Sequence, residues 1–239
     1  MSRRTFSTKT DPRIAMAVYC LGKLEELART GKIPGVKKKD TIKLLERLSS
    51  VLLKMRESGY SKKALLSSQL FKSYTQMLSN LISRLGVNWY RVAKRKDEYT
   101  AKLLRFVIFN IRTLGTRLKK APDGFFASAT KIRFVKIIKK EPHPKNPKYK
   151  IYHVTDWEVE YEVISDDELN VGDVVLFAHM PPKNIDGIYS EGVFLKDEKG
   201  ELIRGTDDDV GSTPVTFPES VEKTVGTELK KLLEDAFLI

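Results

Sequence analysis

Three histidines and one cysteine are the only imidazole and thiol groups in this chain of 239 residues. His143, His153 and His179 are widely spaced and Cys20 stands alone, so no zinc-ligand spacing exists. There is no glycine-rich phosphate loop and no Gly-x-Ser-x-Gly nucleophile turn. Cys20 falls on a predicted helix among apolar residues, where a free thiol packs as a small hydrophobe. Being single, it also excludes an internal disulfide, which fits a reducing compartment. The run Asp207-Asp208-Asp209 has the composition of a cation site, although a solvated loop is the simpler reading. We therefore expect no catalytic residue, no metal and no cofactor.

The chemistry the sequence does offer is that of positive charge. Arg91, Lys94, Arg95 and Lys96 cluster beside Trp89 and Tyr90. At 100° per residue, Lys102, Arg105, Arg112 and Lys119 fall within about 100° of arc on one predicted helical face. Ammonium and guanidinium groups in such a stripe can meet phosphates spaced along a backbone. A solvent face whose long side chains shield the core is the alternative. Trp89 and Tyr90 suit the core better than a base-stacking role.

The net charge of +12 is unevenly spread. Residues 1–120 hold 28 Lys+Arg and 8 Asp+Glu, a net +20. Residues 121–239 hold 15 and 23, a net −8, of which 131–150 contribute +7 and 151–239 contribute −14. A half so basic repels itself and attracts polyanions. No apolar run approaches the roughly 20 residues of a membrane helix. The leading MSRRTFSTKTDPR has no apolar stretch behind it, so we expect a cytoplasmic protein. Abundant Lys and Glu with only two glutamines lean towards a thermophile.

The elements that must position these groups change character along the chain. Asp11-Pro12 predicts a capped helix start, with Gly31 as its stop. A second helix runs from an Asp40 cap to Gly59, and a third from a Ser61 cap to Gly86. A fourth helical region spans about Trp89 to Lys120, with a break near Asp97, and its LLRFVIFNI run reads as buried helix. After the turn-rich Ala121-Pro122-Asp123-Gly124 the period becomes that of strands. WEVEYEVI alternates, placing Trp157, Val159, Tyr161 and Val163 on one face and Glu158, Glu160 and Glu162 on the other. A Pro-Pro-Lys turn then precedes GIYSEGVFL. From Pro218 the spacing is helical again, and the terminal AFLI is expected to dock on the body or on another subunit.

Residues from about Ser128 to Phe217 resemble the tRNA-binding domain family. That domain occurs in small stand-alone tRNA-binding proteins, at the C-terminus of methionyl-tRNA synthetases and in eukaryotic synthetase-complex cofactors. The resemblance rests on TKIRFVKIIKKEPHP, with Asn146 close behind His143-Pro144, and on Pro182, Lys183, Gly187, Ser190, Glu191 and Gly192. It implies a five-stranded oligonucleotide-binding (OB) barrel. The expected fold is thus α+β and multidomain: a basic all-α domain (1–122), an OB-fold domain (126–217) and a C-terminal helix (218–239). The resemblance further implies RNA contacts by Lys131, Arg133, Lys136, His143, Asn146, Lys183 and Ser190. The chain departs from the family in Lys145-Asn146-Pro147-Lys148-Tyr149, in Val193, and in the Glu158/Glu160/Glu162 face.

Together these observations favour a non-catalytic RNA-binding protein for tRNA or ribosomal RNA, with an aminoacyl-tRNA synthetase or the ribosome as associate. An oligomer is compatible with it, and a membrane role is not. Two alternatives stand beside this reading. The first is an assembly or docking factor whose acidic barrel face binds a synthetase or ribosomal protein. The second is a DNA-binding replication factor, since LLRFVIFNIRTLGTRLKK is similar to the basic helix of GINS replication subunits.

Overall fold

The computed structural model describes residues 6–237; the side chains of the expected AFLI docking segment lie outside the described residues. The fold is α+β. The chain divides into two compact units, one made of residues up to Ala129 together with those from Glu228 onward, the other of Thr130–Thr227.

In the helical unit, α1 (Pro12–Arg29) starts as the sequence predicts. The Asp11 carboxylate accepts from the Arg13 amide at 2.9 Å, and Pro12, which has no N–H to satisfy, occupies the first turn. Helix α2 (Lys38–Glu57) begins just before Asp40, which lies in its first turn. The expected third helix is two helices, α3 (Lys62–Ser67) and α4 (Gln69–Leu85). Ser68 divides them, because its hydroxyl donates to the Leu65 carbonyl at 2.7 Å and accepts from the Phe71 amide at 3.1 Å. A serine that satisfies backbone groups on both sides competes with the continuous helix.

The fourth region breaks at Asp97, whose carboxylate caps the next helix at Thr100. It breaks again at Thr113, giving α5 (Trp89–Lys96), α6 (Glu98–Arg112) and α7 (Leu114–Lys120). Leu104, Phe106, Val107 and Ile111 make α6 the buried helix that its apolar run predicts. It packs with α1, α4 and α5, and the Tyr74 hydroxyl donates to the Ile111 carbonyl at 2.7 Å.

A buried ionic hub ties the two ends of the helical unit. The Arg13 guanidinium, fully buried, binds both carboxylate oxygens of Asp11 and reaches Asp123 Oδ1 at 2.6 Å. It also donates to the Ala121 and Arg117 carbonyls. Burial opposes its charge, but the two carboxylates outweigh burial and hold its pKa above the usual range. Arg117 is also buried, but its partners are oxygens without charge: the Ala129 and Asn110 carbonyls and the Thr113 hydroxyl. Desolvation lowers its pKa to about 10, which leaves it charged at neutral pH.

In the second unit, β1 (Ile132–Pro142), β2 (Lys150–Thr155), β3 (Glu160–Ser165), β4 (Val174–Ile185) and β5 (Ile188–Phe194) form an antiparallel sheet in the order β3-β2-β1-β4-β5. The sheet curls so that its end strands meet. The Ser190 hydroxyl accepts from the Ile164 amide at 3.1 Å, and the Glu191 carboxylate accepts from the Glu162 amide at 3.1 Å. This closed five-stranded arrangement has OB-barrel topology. Its core is Val135, Ile137, Tyr152, Val154, Tyr161, Val163, Leu169, Val175, Phe177 and Phe194.

Two local expectations are corrected here. Pro181-Pro182-Lys183 is part of β4, not a turn; the prolines fall where the β4–β5 register shifts, so their missing N–H groups cost no ladder bond. The reversal comes later, at Asp186-Gly187, a two-residue hairpin turn with φ of +49° and +97°. Trp157 is not on the core face. It precedes β3, has φ +68° and is 62% exposed, while Tyr161 and Val163 are buried as expected.

The C-terminal segment comprises α8 (Glu219–Val221), a π-helical stretch (Glu222–Gly226) and α9 (Thr227–Phe237). Leu229 and Leu233 are fully buried. No helix of the described residues is long and apolar enough to cross a membrane.

Candidate nucleic-acid interface

The expected stripe on the last helices does not survive as a line. Lys102 faces inward, because α6 is apolar on nearly all sides; its side chain is fully buried and pairs with Glu98 at 2.8 Å. It cannot reach a phosphate. Arg105 is half-buried with its guanidinium carbon 4.1 Å from the centroid of the Tyr90 ring, a cation–π stack. Arg112 is exposed and lines an open groove with Thr75, Leu78, Ser79, Ile82 and Ser83. Lys119 is exposed on α7, beyond the break at Thr113. The four residues are therefore not one surface.

The α5 cluster is exposed as expected. Arg91, Lys94 and Arg95 share a helical face, with Lys96 beside them, and all four are open to solvent. Trp89 and Tyr90 are half-buried and meet edge to face at 5.7 Å, so they brace α5.

The sequence reading missed a longer stripe on α2. Lys39, Lys43, Arg47 and Lys54 are all exposed, and at 100° per residue they lie within about 80° of arc. With 1.5 Å rise per residue the stripe is roughly 22 Å long. Among the described residues none of the four has an ion-pair partner. Counting basic as well as apolar positions around α2 would have found it.

On the barrel, six of the seven residues separate into two groups. Lys131, Arg133 and Lys136 belong to the start of β1, near the β2–β3 turn; His143, Asn146 and Lys183 lie at the other end, where β1 leaves the sheet and the β4–β5 hairpin turns. From Arg133 to His143 is about 33 Å of strand contour.

At the first end, Lys131 is buried. It pairs with buried Asp156 and donates to the Tyr161 hydroxyl at 3.0 Å. Burial lowers its pKa, and Asp156 acts against that shift. Arg133 joins the same carboxylate at 3.4 Å and Glu158 at 2.9 Å, and Lys136 meets Asp207 at 2.7 Å.

At the far end, His143 supports a loop. Its Nδ1 accepts from the Asn146 amide at 3.1 Å and its Nε2 donates to the Ile185 carbonyl at 3.1 Å. The Asn146 side-chain amide donates to Asp186 at 2.8 Å. These bonds clasp the β1–β2 loop to the hairpin tip. Lys183 is exposed.

Ser190 is buried and spent on the barrel seam, where it also donates to the Gly192 carbonyl at 3.0 Å. Gly192 is required next to it: a Cβ there would sit 2.2 Å from the Ala178 carbonyl oxygen. Lys102, Lys131, His143 and Ser190 are thus structural, because burial and internal partners keep each from a ligand. We expect Ser190→Ala to destabilise the barrel by about 1–3 kcal/mol, the cost of a buried amide left without an acceptor. RNA affinity should be unchanged. Denaturant titration and a gel shift on the same protein would check both.

Most cations on the barrel are paired with an acid. Residues 130–227 hold 13 Lys+Arg and 19 Asp+Glu. Lys139, Lys140, Lys148, Lys150, Lys196 and Arg204 pair respectively with Glu141, Glu168, Asp166, Glu168, Asp167 and Asp173. The basic strand β1 is neutralised by its own Glu141 and by acids from later strands and loops.

Among the described residues no group of three or more His, Cys, Asp or Glu could hold a metal ion. Cys20 is fully buried, and burial pushes its thiol pKa far up, away from the reactive thiolate.

No protein-family model matches the sequence, and no curated protein matches it. Among solved structures, part of the chain is similar to a MetRS-related protein from Pyrococcus horikoshii, at 19% identity and a TM-score of 0.30, covering 34% of this chain and 86% of that one.

Proposed function

We propose that this chain is a non-catalytic RNA-binding protein that holds structured RNA, a tRNA or a ribosomal RNA, mainly through its helical unit. The observation that carries the reading is the α2 stripe: four exposed cations along one face, none with an ion-pair partner among the described residues. Phosphates supply the missing counter-charge, and release of their condensed ions drives binding. The exposed α5 cations extend the surface. OB topology adds a module suited to unpaired or irregular nucleic acid.

Gel shifts of the full chain with tRNA, a ribosomal RNA fragment and duplex DNA, each over a salt series, test the proposal. The expected result is RNA binding whose log affinity falls linearly with log salt. No shift of either RNA at low salt overturns it, and a preference for duplex DNA would favour the replication reading instead. A second reading, a docking role for the barrel, is favoured by its excess of acids and by the pairing of most of its cations, which leave it little attraction for phosphate.

A further inference from the structure

Trp157 carries two costs that folding does not explain. Its indole is 62% exposed, and its backbone sits at φ +68°, a region bulky side chains rarely adopt. A glycine would remove both costs. The turn around it is nevertheless firmly built. The Trp157 amide donates to the Thr155 hydroxyl at 3.0 Å. Asp156 accepts from the Glu158 and Val159 amides at 3.1 and 2.9 Å, and its other oxygen is held by Lys131 and Arg133. Asp156 is 2% exposed. The backbone that carries the indole is therefore held by a buried ionic anchor.

Its surroundings select the kind of partner. Lys136 Nζ lies 5.9 Å from the Trp157 ring centroid and 2.7 Å from Asp207. Ring and carboxylate already share one cation. The Glu158 carboxylate, 64% exposed, is bound by Arg133 at 2.9 Å and, at the long distance of 3.9 Å, by Lys131. Such pairs are weak and exchange readily. A nucleobase stacked on the ring would bring its phosphates towards Glu158 and Asp207, which repel them.

We propose that Trp157, with Glu158 and Asp207, is a docking point for an arginine-bearing segment of a basic protein partner. The guanidinium stacks on the indole and forms paired hydrogen bonds with a carboxylate, a match that its flat, delocalised charge makes better than lysine does. These residues belong to the barrel unit and the α2 and α5 cations to the helical one, and neither reading depends on the other.

The test follows the two indole N–H signals of the full chain by NMR, with that of Trp157 assigned by its loss in Trp157→Gly. The probes are acetyl-Gly-Arg-Gly-Arg-Gly-amide, its lysine and norleucine counterparts, and an oligo-uridylate. The arginine peptide should shift the Trp157 signal saturably, at least threefold more tightly than the lysine peptide and tenfold more tightly than norleucine. Glu158→Gln with Asp207→Asn should weaken it at least threefold. Trp157→Gly should stay folded with an equal or higher Tm and unchanged tRNA affinity. The proposal is overturned by an absent or non-saturating shift, by an equal response to norleucine, or by oligo-uridylate binding at the same indole more tightly than the arginine peptide.

Discussion

Replacing Lys39, Lys43, Arg47 and Lys54 together by glutamine should lower tRNA affinity by about a hundred- to a thousandfold near 100 mM salt. Each cation that meets a phosphate adds about 0.7–0.9 to the slope of log affinity against log salt. The slope should therefore fall by about 3 if all four make contact. Because all four are exposed, the fold should be unaffected. The equivalent change on the barrel, Lys136, Lys139 and Lys140 to glutamine, should alter affinity less than about twofold. Those charges are already balanced by Asp207, Glu141 and Glu168. Equal losses from both sets would refute the division of labour drawn here. Salt-series titrations of the two variants against one tRNA decide it.

Arg13→Ala should be the most destabilising single change in the helical unit, by about 3–5 kcal/mol, the range for removing one partner of a buried ion pair. At about 2–4 °C per kcal/mol, the Tm should drop by roughly 6–20 °C. The mechanism is uncompensated charge: Asp11 is 4% exposed and would lose the guanidinium it pairs with. Lys9→Ala, which opens a solvent-exposed pair with Glu57, should cost under about 0.5 kcal/mol and serves as the control.

The pH dependence follows from Asp123. Burial alone would raise its pKa, but Lys62 and Arg13 outweigh that and lower it below the usual aspartate value. A lowered folded pKa means stability that is fully present above the unfolded value of about 3.9. It is lost as pH falls through the folded value. Acid titration of the wild type should show this loss, and Asp123→Asn should flatten it.

Much of the helical unit was legible because its signals are local. Asp11, Ser61 and Asp97 each lie within three residues of the amide they cap, and the apolar spacing of α6 announces its burial. The same locality explains the failures. Nothing near Lys102 in the sequence says that its face of α6 is covered, and the stripe count treated a central helix as a surface one. Lys131 and Lys136 looked free because Asp156 and Asp207 lie 25 and 71 residues away.

Trp157 fitted the alternation of WEVEYEVI, but a single positive φ turned it outward. Ser190 and Glu191 marked the right place for a reason that composition cannot reveal. They join strands that lie far apart in the hydrogen-bonded order, so a motif read for binding turned out to be joinery.

That joinery bears on how the chain behaves in a crowd. β3 and β5 stand at the two ends of the sheet order, and a strand edge with open amides recruits other chains. Here two side chains occupy the amides of Glu162 and Ile164, the sites through which a foreign strand would attach. Ser190 and Glu191 therefore act as stoppers, and a population that loses them should turn to fibrils or precipitate before it unfolds.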